Sequence, residues 1–198
     1  MGTPEVVLDA ALEEFAAFGY RRASVEGIAR RAGLARATVY LHWRTKEELF
    51  RALVTRLHDE HLAAMTAAAE APDVDLETRL LRVLMARNVR FVQLTAASAN
   101  AAELYDRHGR LCGDIAADAA ARSRALLADL VERHAATGEI VLRRSRLTAA
   151  LVAEGLELCA HAAKGEAPAA ATPAGFVAAL HLLVRLTLHG LTADAAPG

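Results

Sequence analysis

Between Arg36 and Phe50 the chain reads RATVYLHWRTKEELF, gathering hydroxyls, an imidazole, an indole and several cations in a sequence otherwise dominated by Ala and Leu. These groups suit a phosphodiester backbone and the edges of bases. Arg36 can donate bidentately to guanine or rest on a phosphate, and Thr38 offers a hydroxyl together with a methyl for thymine. Tyr40, His42 and Lys46 are spaced to hold backbone phosphates, and Lys46 lies at a helix N-terminus, where anions are welcome. Ala37 leaves one helix face bare, so a groove wall can approach.

The charge distribution points the same way. The formal net charge of the 198 residues is −1, which gives no global attraction to a polyanion. From Gly19 to Arg51, however, Arg21, Arg22, Arg30, Arg31, Arg36, Arg44, Lys46 and Arg51 face only Glu26, Glu47 and Glu48. That window carries +5 and the remainder −6, so a localised anionic partner is expected. A solvated helix surface is the competing reading of the charge alone.

The elements that must position these residues are helical throughout. Leu8, Ala11, Leu12 and Phe15 recur at helical spacing, with Thr3 and Pro4 at N-cap and first turn and Gly19 as a left-handed end. Ser24 caps a second, short helix through Ala32; Gly33-Leu34 is a turn; Ala35 to Leu41 forms a third. Thr45 with Glu48 reads as a capping box opening a fourth helix, whose inner stripe is Leu49, Leu53 and Leu57. Pro72-Asp73 interrupts it. Further helices are expected over about Leu76 to Ser98, Ala101 to His108, Leu111 to Ala136, Leu147 to Ala163 and Pro173 to Leu191, the last two joined by the loop KGEAPAAATP. No strand alternation and no internal repeat is evident. The expected fold class is all-α: an N-terminal three-helix helix-turn-helix head over 1–50, with the motif at about 24–43, and a C-terminal helical domain over 51–198, for which the family resemblance given next implies ligand-binding and dimerisation roles.

The segment VLDAALEEFAAFGYRRASVEGIARRAGLARATVYLHWRTKEELFRAL, Val7 to Leu53, resembles the N-terminal signature of the TetR-type transcriptional repressors in helix lengths, turn glycines, the Thr-Val-Tyr, the His-aromatic pair and the Lys-Glu-Glu-Leu. It covers a quarter of the chain; the remainder is similar only in helical layout. By this resemblance Arg36, Thr38, Tyr40, His42 and Lys46 fall at positions the family uses on DNA, and Ser24, Ala37 and Leu41 complete the candidate set. Three positions depart from the pattern. Ala35 replaces the usual capping Ser or Thr, removing a hydroxyl worth ~1 kcal/mol. Leu41 stands where an aromatic precedes His, and Trp43 replaces the usual Phe. Trp43 is expected to pack in the core, as are Val39 and Ile28.

The C-terminal half speaks of partners. The helix over 147–163 has two apolar stripes, Leu151-Gly155-Leu158-Ala162 and Val152-Leu156-Cys159-Ala163. The helix over 173–191 is apolar except for His181, Arg185 and His189. Helices apolar nearly all round must be covered on more than one side, and a second subunit is the expected cover. The resemblance implies the same pair in a homodimer's four-helix bundle. An effector pocket, apolar with few polar groups and suited to a hydrophobic or aromatic molecule, is implied by the family; its candidate wall is Asn88, Phe91, Tyr105, Cys112, Ser123, Cys159 and Phe176. Asn88 sits in the stripe Leu84, Asn88, Phe91, Thr95, and if buried must be hydrogen-bonded to a ligand or to a backbone carbonyl.

Other chemistries find little footing. The di-iron Glu-x-x-His spacing occurs nowhere, Cys159 and His161 point to different sides of a helix, and no catalytic residue, cofactor or metal is expected. His58 and His61 have a spacing that can share a metal but read more simply as surface histidines. Cys112 and Cys159 form no C-x-x-C pair, and no apolar run approaches the ~18 residues that span a bilayer, so a cytoplasmic protein with reduced thiols is expected. Taken together these features describe a ligand-responsive repressor of a palindromic DNA operator, the alternative being an architectural DNA-binding protein without sequence preference. Two recognition helices about 34–36 Å apart would read successive major grooves, with the fourth helix as the lever between pocket and head.

Overall fold

The structure, a computed structural model, describes residues 2–97, 100–142, 147–164, 172–189 and 191, with only the backbone described at 90–97 and 101. Nine helices and no strand are found among the described residues: α1 (Thr3–Arg22), α2 (Val25–Arg31), α3 (Arg36–His42), α4 (Lys46–Ala69), α5 (Leu76–Ala97), α6 (Ala101–Leu111), α7 (Gly113–Ala136), α8 (Ala149–Ala162) and α9 (Pro173–His189). The all-α expectation holds, and most boundaries fall within two residues of the sequence reading. The loop 165–171 and the side chains of Phe91 and Thr95 lie outside the described residues.

Local chemistry accounts for the boundaries. Thr3 is the first helical residue rather than the cap. Gly2 takes the N-cap, its N–H donating to the Glu5 carboxylate at 2.8 Å. Gly19 adopts φ +73, a conformation that costs a residue with a Cβ roughly 1–2 kcal/mol, and it breaks the helical path of α1 before Arg22. Thr45 accepts the Glu48 N–H at 3.0 Å, while the Glu48 carboxylate accepts the Arg44 N–H at 2.7 Å. The capping box is therefore present, closed one residue earlier than its usual partner.

The chain divides into two compact units that do not follow chain order: residues 1–60 with 94–118, and 61–93 with 119–198. In the first, α1, α2, α6 and the start of α4 surround Val7, Ala11, Phe15, Ile28, Val39, Leu49 and Leu53. Phe15 and Tyr20 each meet the Phe50 ring edge-on at 5.1 Å, the geometry aromatic quadrupoles favour. In the second, Met65, Leu80, Leu84, Leu127, Leu130, Leu156, Phe176, Leu180 and Val184 form the core, and α8 packs on α9. Each unit thus has its own apolar interior, as an independent packing unit requires.

Candidate functional site

The helix-turn-helix is assembled from α2, a turn and α3. Ser24 accepts the Gly27 N–H at 3.0 Å through its side chain, satisfying a donor at the start of α2. At the other end Gly33 has φ +67, and the N–H of Leu34 returns to the Ala29 carbonyl at 2.9 Å while that of Gly33 reaches Arg30 at 3.2 Å. These paired bonds close α2 as a Schellman-type turn and aim the chain into α3. Ala35 supplies no side-chain cap to α3. That helix has only seven residues, and Val39 is its one buried side chain, with Tyr40 and Trp43 packed partly against the same core.

With Val39 inward, the opposite face of α3 is exposed: Arg36, Ala37, Leu41 and His42 are open to solvent, with Thr38 and Tyr40 half-buried beside them. Leu41 is 83% exposed, which is unusual for a leucine on a helix anchored by a single core residue, and it offers an apolar contact of the kind a thymine methyl accepts. Arg36 is held in place: it pairs with Glu26, donates to the Tyr40 hydroxyl at 3.1 Å and lies over the Tyr40 ring at 5.1 Å. The structure therefore brings Arg36, Ala37, Thr38, Tyr40, Leu41 and His42 onto one surface.

Lys46 is placed differently from the sequence reading. Its ammonium donates to the carbonyls of Tyr20 at 2.8 Å, Arg21 at 3.3 Å and Ala23 at 3.0 Å, and it stands 4.7 Å above the Tyr20 ring. Burial pushes its pKa below the ordinary lysine value. The three protons of an ammonium are matched in number by these three carbonyls. Lys46 clamps the α1–α2 connection and holds α2 at its angle. Three more of the local cations have partners within the protein: Arg31 pairs with Glu14 at 2.7 Å, Arg51 with Asp114 at 2.6 Å, and Arg22 donates to the Phe18 carbonyl at 3.2 Å. Arg44, exposed just past α3, joins the surface instead. Its signal in the sequence was its place immediately after the helix-closing Trp43.

The sequence reading also missed Glu14. It is 4% exposed and lies against Gly27, where any Cβ would run into its carboxylate. Paired with Arg31, it ties α1 to α2. The signal was present, because Glu14 continues the apolar stripe of Val7 and Ala11 at helical spacing.

The residues expected to line the effector pocket are divided between the two units. Tyr105, half-exposed, and Cys112, fully buried, belong to the first unit, whereas Asn88, Ser123, Cys159 and Phe176 belong to the second. Ser123 donates to the Ala119 carbonyl at 2.8 Å, Cys159 lies 3.7 Å from the Thr187 hydroxyl, and Phe176 is core. Asn88 is buried and donates to the Leu84 carbonyl at 2.8 Å, the backbone alternative. It also lines a cavity of about 290 Å³ shared with Leu84, Arg87, Arg124, Glu154, Glu157, Leu158, Ala160, His161 and Lys164. This cavity sets charged side chains beside an apolar wall. The periodicity that marked α5 and α8 could not show which polar side chains meet across them.

Two histidines also find unexpected company. His58 pairs with His108, Nε2 to Nε2 at 3.3 Å, in the first unit, and burial lowers the His108 pKa. Among the described residues no group of three or more His, Cys, Asp or Glu is arranged to hold a metal ion, and no helix is long and apolar enough to cross a membrane.

Comparison with known proteins matches the geometry at the head. Residues 7–53 match the family model of bacterial regulatory proteins of the tetR family. A Bacillus subtilis HTH-type transcriptional regulator, YhgD, is 30% identical over 82 residues, which are 41% of this chain and 42% of that protein. The chain thus aligns with less than half the length of that relative. Among solved structures, the fatty acid degradation regulator FadR of Bacillus halodurans superposes with a TM-score of 0.72 over 96% of both chains at 20% identity. SmeT, the repressor of the Stenotrophomonas maltophilia multidrug efflux pump SmeDEF, does so with a TM-score of 0.66 over 98% of this chain and 93% of its own, also at 20% identity. At such identities the superpositions speak for the fold. Over residues 7–53 the chain is thus similar to the tetR family of bacterial regulatory proteins, and along its length its fold is shared with the solved regulators FadR and SmeT.

Proposed function

We propose that this protein is a sequence-specific DNA-binding transcriptional repressor that acts as a homodimer and is released from a palindromic operator by a small-molecule effector. The observation that carries the reading is the solvent-facing side of α3, where Arg36, Ala37, Leu41 and His42 stand exposed on a helix anchored by Val39. This side has the dimensions and donor chemistry of a major-groove reader, with Arg36 on guanine, Leu41 and Thr38 on thymine methyls, and Tyr40, His42 and Arg44 on phosphates. Ser24, at the N-terminus of α2, adds a hydroxyl near the backbone. In functional terms residues 1–50 form the head, and residues 51–198 serve dimerisation and the effector. The role is one of binding, and no turnover chemistry is assigned to any residue.

A second copy is favoured by the apolar faces of α8 and α9. Leu151, Leu158, Leu182 and Leu186 are each more than half exposed, and leucines in such a row are stable in water only when another surface covers them. The proposed effector has a hydrophobic or aromatic body; a triclosan complex is known for SmeT.

Binding of the purified chain to its best-enriched genomic fragment, compared with random duplex across a salt series, tests the proposal. A ratio of ~10³ or more is expected for a specific reader, whereas equal affinity would leave a non-specific architectural protein. Sedimentation should give a dimer that Leu158→Glu with Leu182→Glu dissociates; a monomeric wild type at micromolar concentration would remove the two-site geometry.

A further inference from the structure

The cavity of the second unit lies among α5, α7 and α8, and its lining is unevenly divided. Leu84, Leu158 and Ala160 form an apolar wall, while the guanidiniums of Arg87 and Arg124 and the titratable amine of Lys164 are set against Glu154 and Glu157. Its volume of about 290 Å³ is at the low end for small-molecule pockets, which suits a compact ligand.

The carboxylate of Glu157 shows which chemistry the cations accept. One of its oxygens is held by Arg87 and the other by Arg124 at 3.2 Å, so a planar carboxylate bridges two guanidiniums. The side chain of Glu157 is only 16% exposed, so water screens this pair weakly. Lys164 stands in the same lining, where burial and the charge of Arg87 push its ammonium down to about 8. Desolvation is the larger cause and the neighbouring Arg87 charge the smaller, and an incoming anion would offset both. A neutral ligand gains nothing from this arrangement and would leave charged groups desolvated behind it.

We infer that this cavity binds a small amphipathic organic carboxylate, its head group on Arg87, Arg124 and Lys164 and its apolar body along Leu84, Leu158 and Ala160. This rests on the effector reading above and names the class of ligand. Glu157 acts as an internal mimic that holds the two guanidiniums in place until the ligand's carboxylate shares or takes over the bridge.

Calorimetric titration of the full chain without DNA tests this with benzoate and octanoate against benzyl alcohol and octanol, and with inorganic phosphate as a bare anion. The carboxylates should bind at least ten-fold more tightly than the matched alcohols and than phosphate. Equal or tighter alcohol binding, equal phosphate binding, or no binding at all would overturn the inference. Lys164→Met should weaken the carboxylates about ten-fold and leave the alcohols unchanged. Glu157→Gln, which removes the competing carboxylate, should tighten them; a purely structural ion pair predicts the opposite. Facing Arg87 on α5, Arg124 on α7 and Glu154, Glu157 and His161 on α8, Lys164 should take up a proton as the acid binds at pH 8. Runs in two buffers of different ionisation enthalpy would read that uptake, and Lys164→Met should abolish it. Operator binding is measured separately, so loss of acid binding with operator binding intact overturns only this inference, whereas the reverse overturns only the regulator reading.

Discussion

Replacing Lys46 with Met separates two roles for a residue that sequence and structure read differently. In the structure its ammonium makes three bonds, to the Tyr20, Arg21 and Ala23 carbonyls, and lies over the Tyr20 ring. Hydrogen bonds to charged groups are worth about 1.5–3 kcal/mol each, but three from one partly exposed ammonium are not additive, because the carbonyls it leaves can turn to water. A total of about 2–3 kcal/mol is expected for the clamp. Urea denaturation, followed by circular dichroism and by Trp43 fluorescence, should show that loss as a lower midpoint. Operator binding should weaken through a misplaced α2 and α3, with the dependence of log K on log salt nearly unchanged. A lost phosphate contact would instead lower the slope by ~0.9 and leave stability almost intact. Wild-type stability together with a reduced slope would refute the clamp and return Lys46 to the DNA surface.

Further outcomes follow from other contacts. Arg36→Ala should relax base preference at one operator position at a cost of about 1–3 kcal/mol, read by selection from a randomised duplex; an unchanged profile would remove its base-reading role. Gly27→Ala should destabilise despite the ~1 kcal/mol gain in helix propensity, because the new Cβ collides with the buried Glu14 carboxylate and strains its pair with Arg31. A net loss of about 1–2 kcal/mol in denaturant is expected, and a stabilised variant would show that Glu14 moves freely. Cys112 is fully buried and its thiol is pushed up to about 11 by desolvation, so at pH 8 it should resist maleimide while the half-buried Cys159 reacts. Because the folded thiol ionises later than the unfolded one, its contribution to stability is complete below about pH 9 and is lost as pH rises toward 11; denaturation midpoints that hold steady across that window would contradict the burial.

The sequence by itself determined the helices and their ends. The reasons are local: apolar spacing marks α1 and α4, Ser24 and Thr45 bring their own caps, and Gly19 and Gly33 take backbone angles that other residues avoid. It also identified Val39 as packing, because a short helix with one apolar anchor has few alternatives, but left Asn88 between a ligand and a backbone carbonyl, a choice that only the folded chain made. Tertiary structure decided everything that depends on side chains from distant segments. Lys46 meets the end of α1 across more than twenty residues, and Glu14 is buried only because Arg31 arrives to pair with it. Arg87, Arg124 and Glu157, 33 to 70 residues apart, become one charged cavity only when α5, α7 and α8 converge. A charge counted along the chain says what is present. Whether it faces solvent, a carbonyl or a ligand is settled by which helix packs against it, since burial makes an unpaired charge too costly to leave alone.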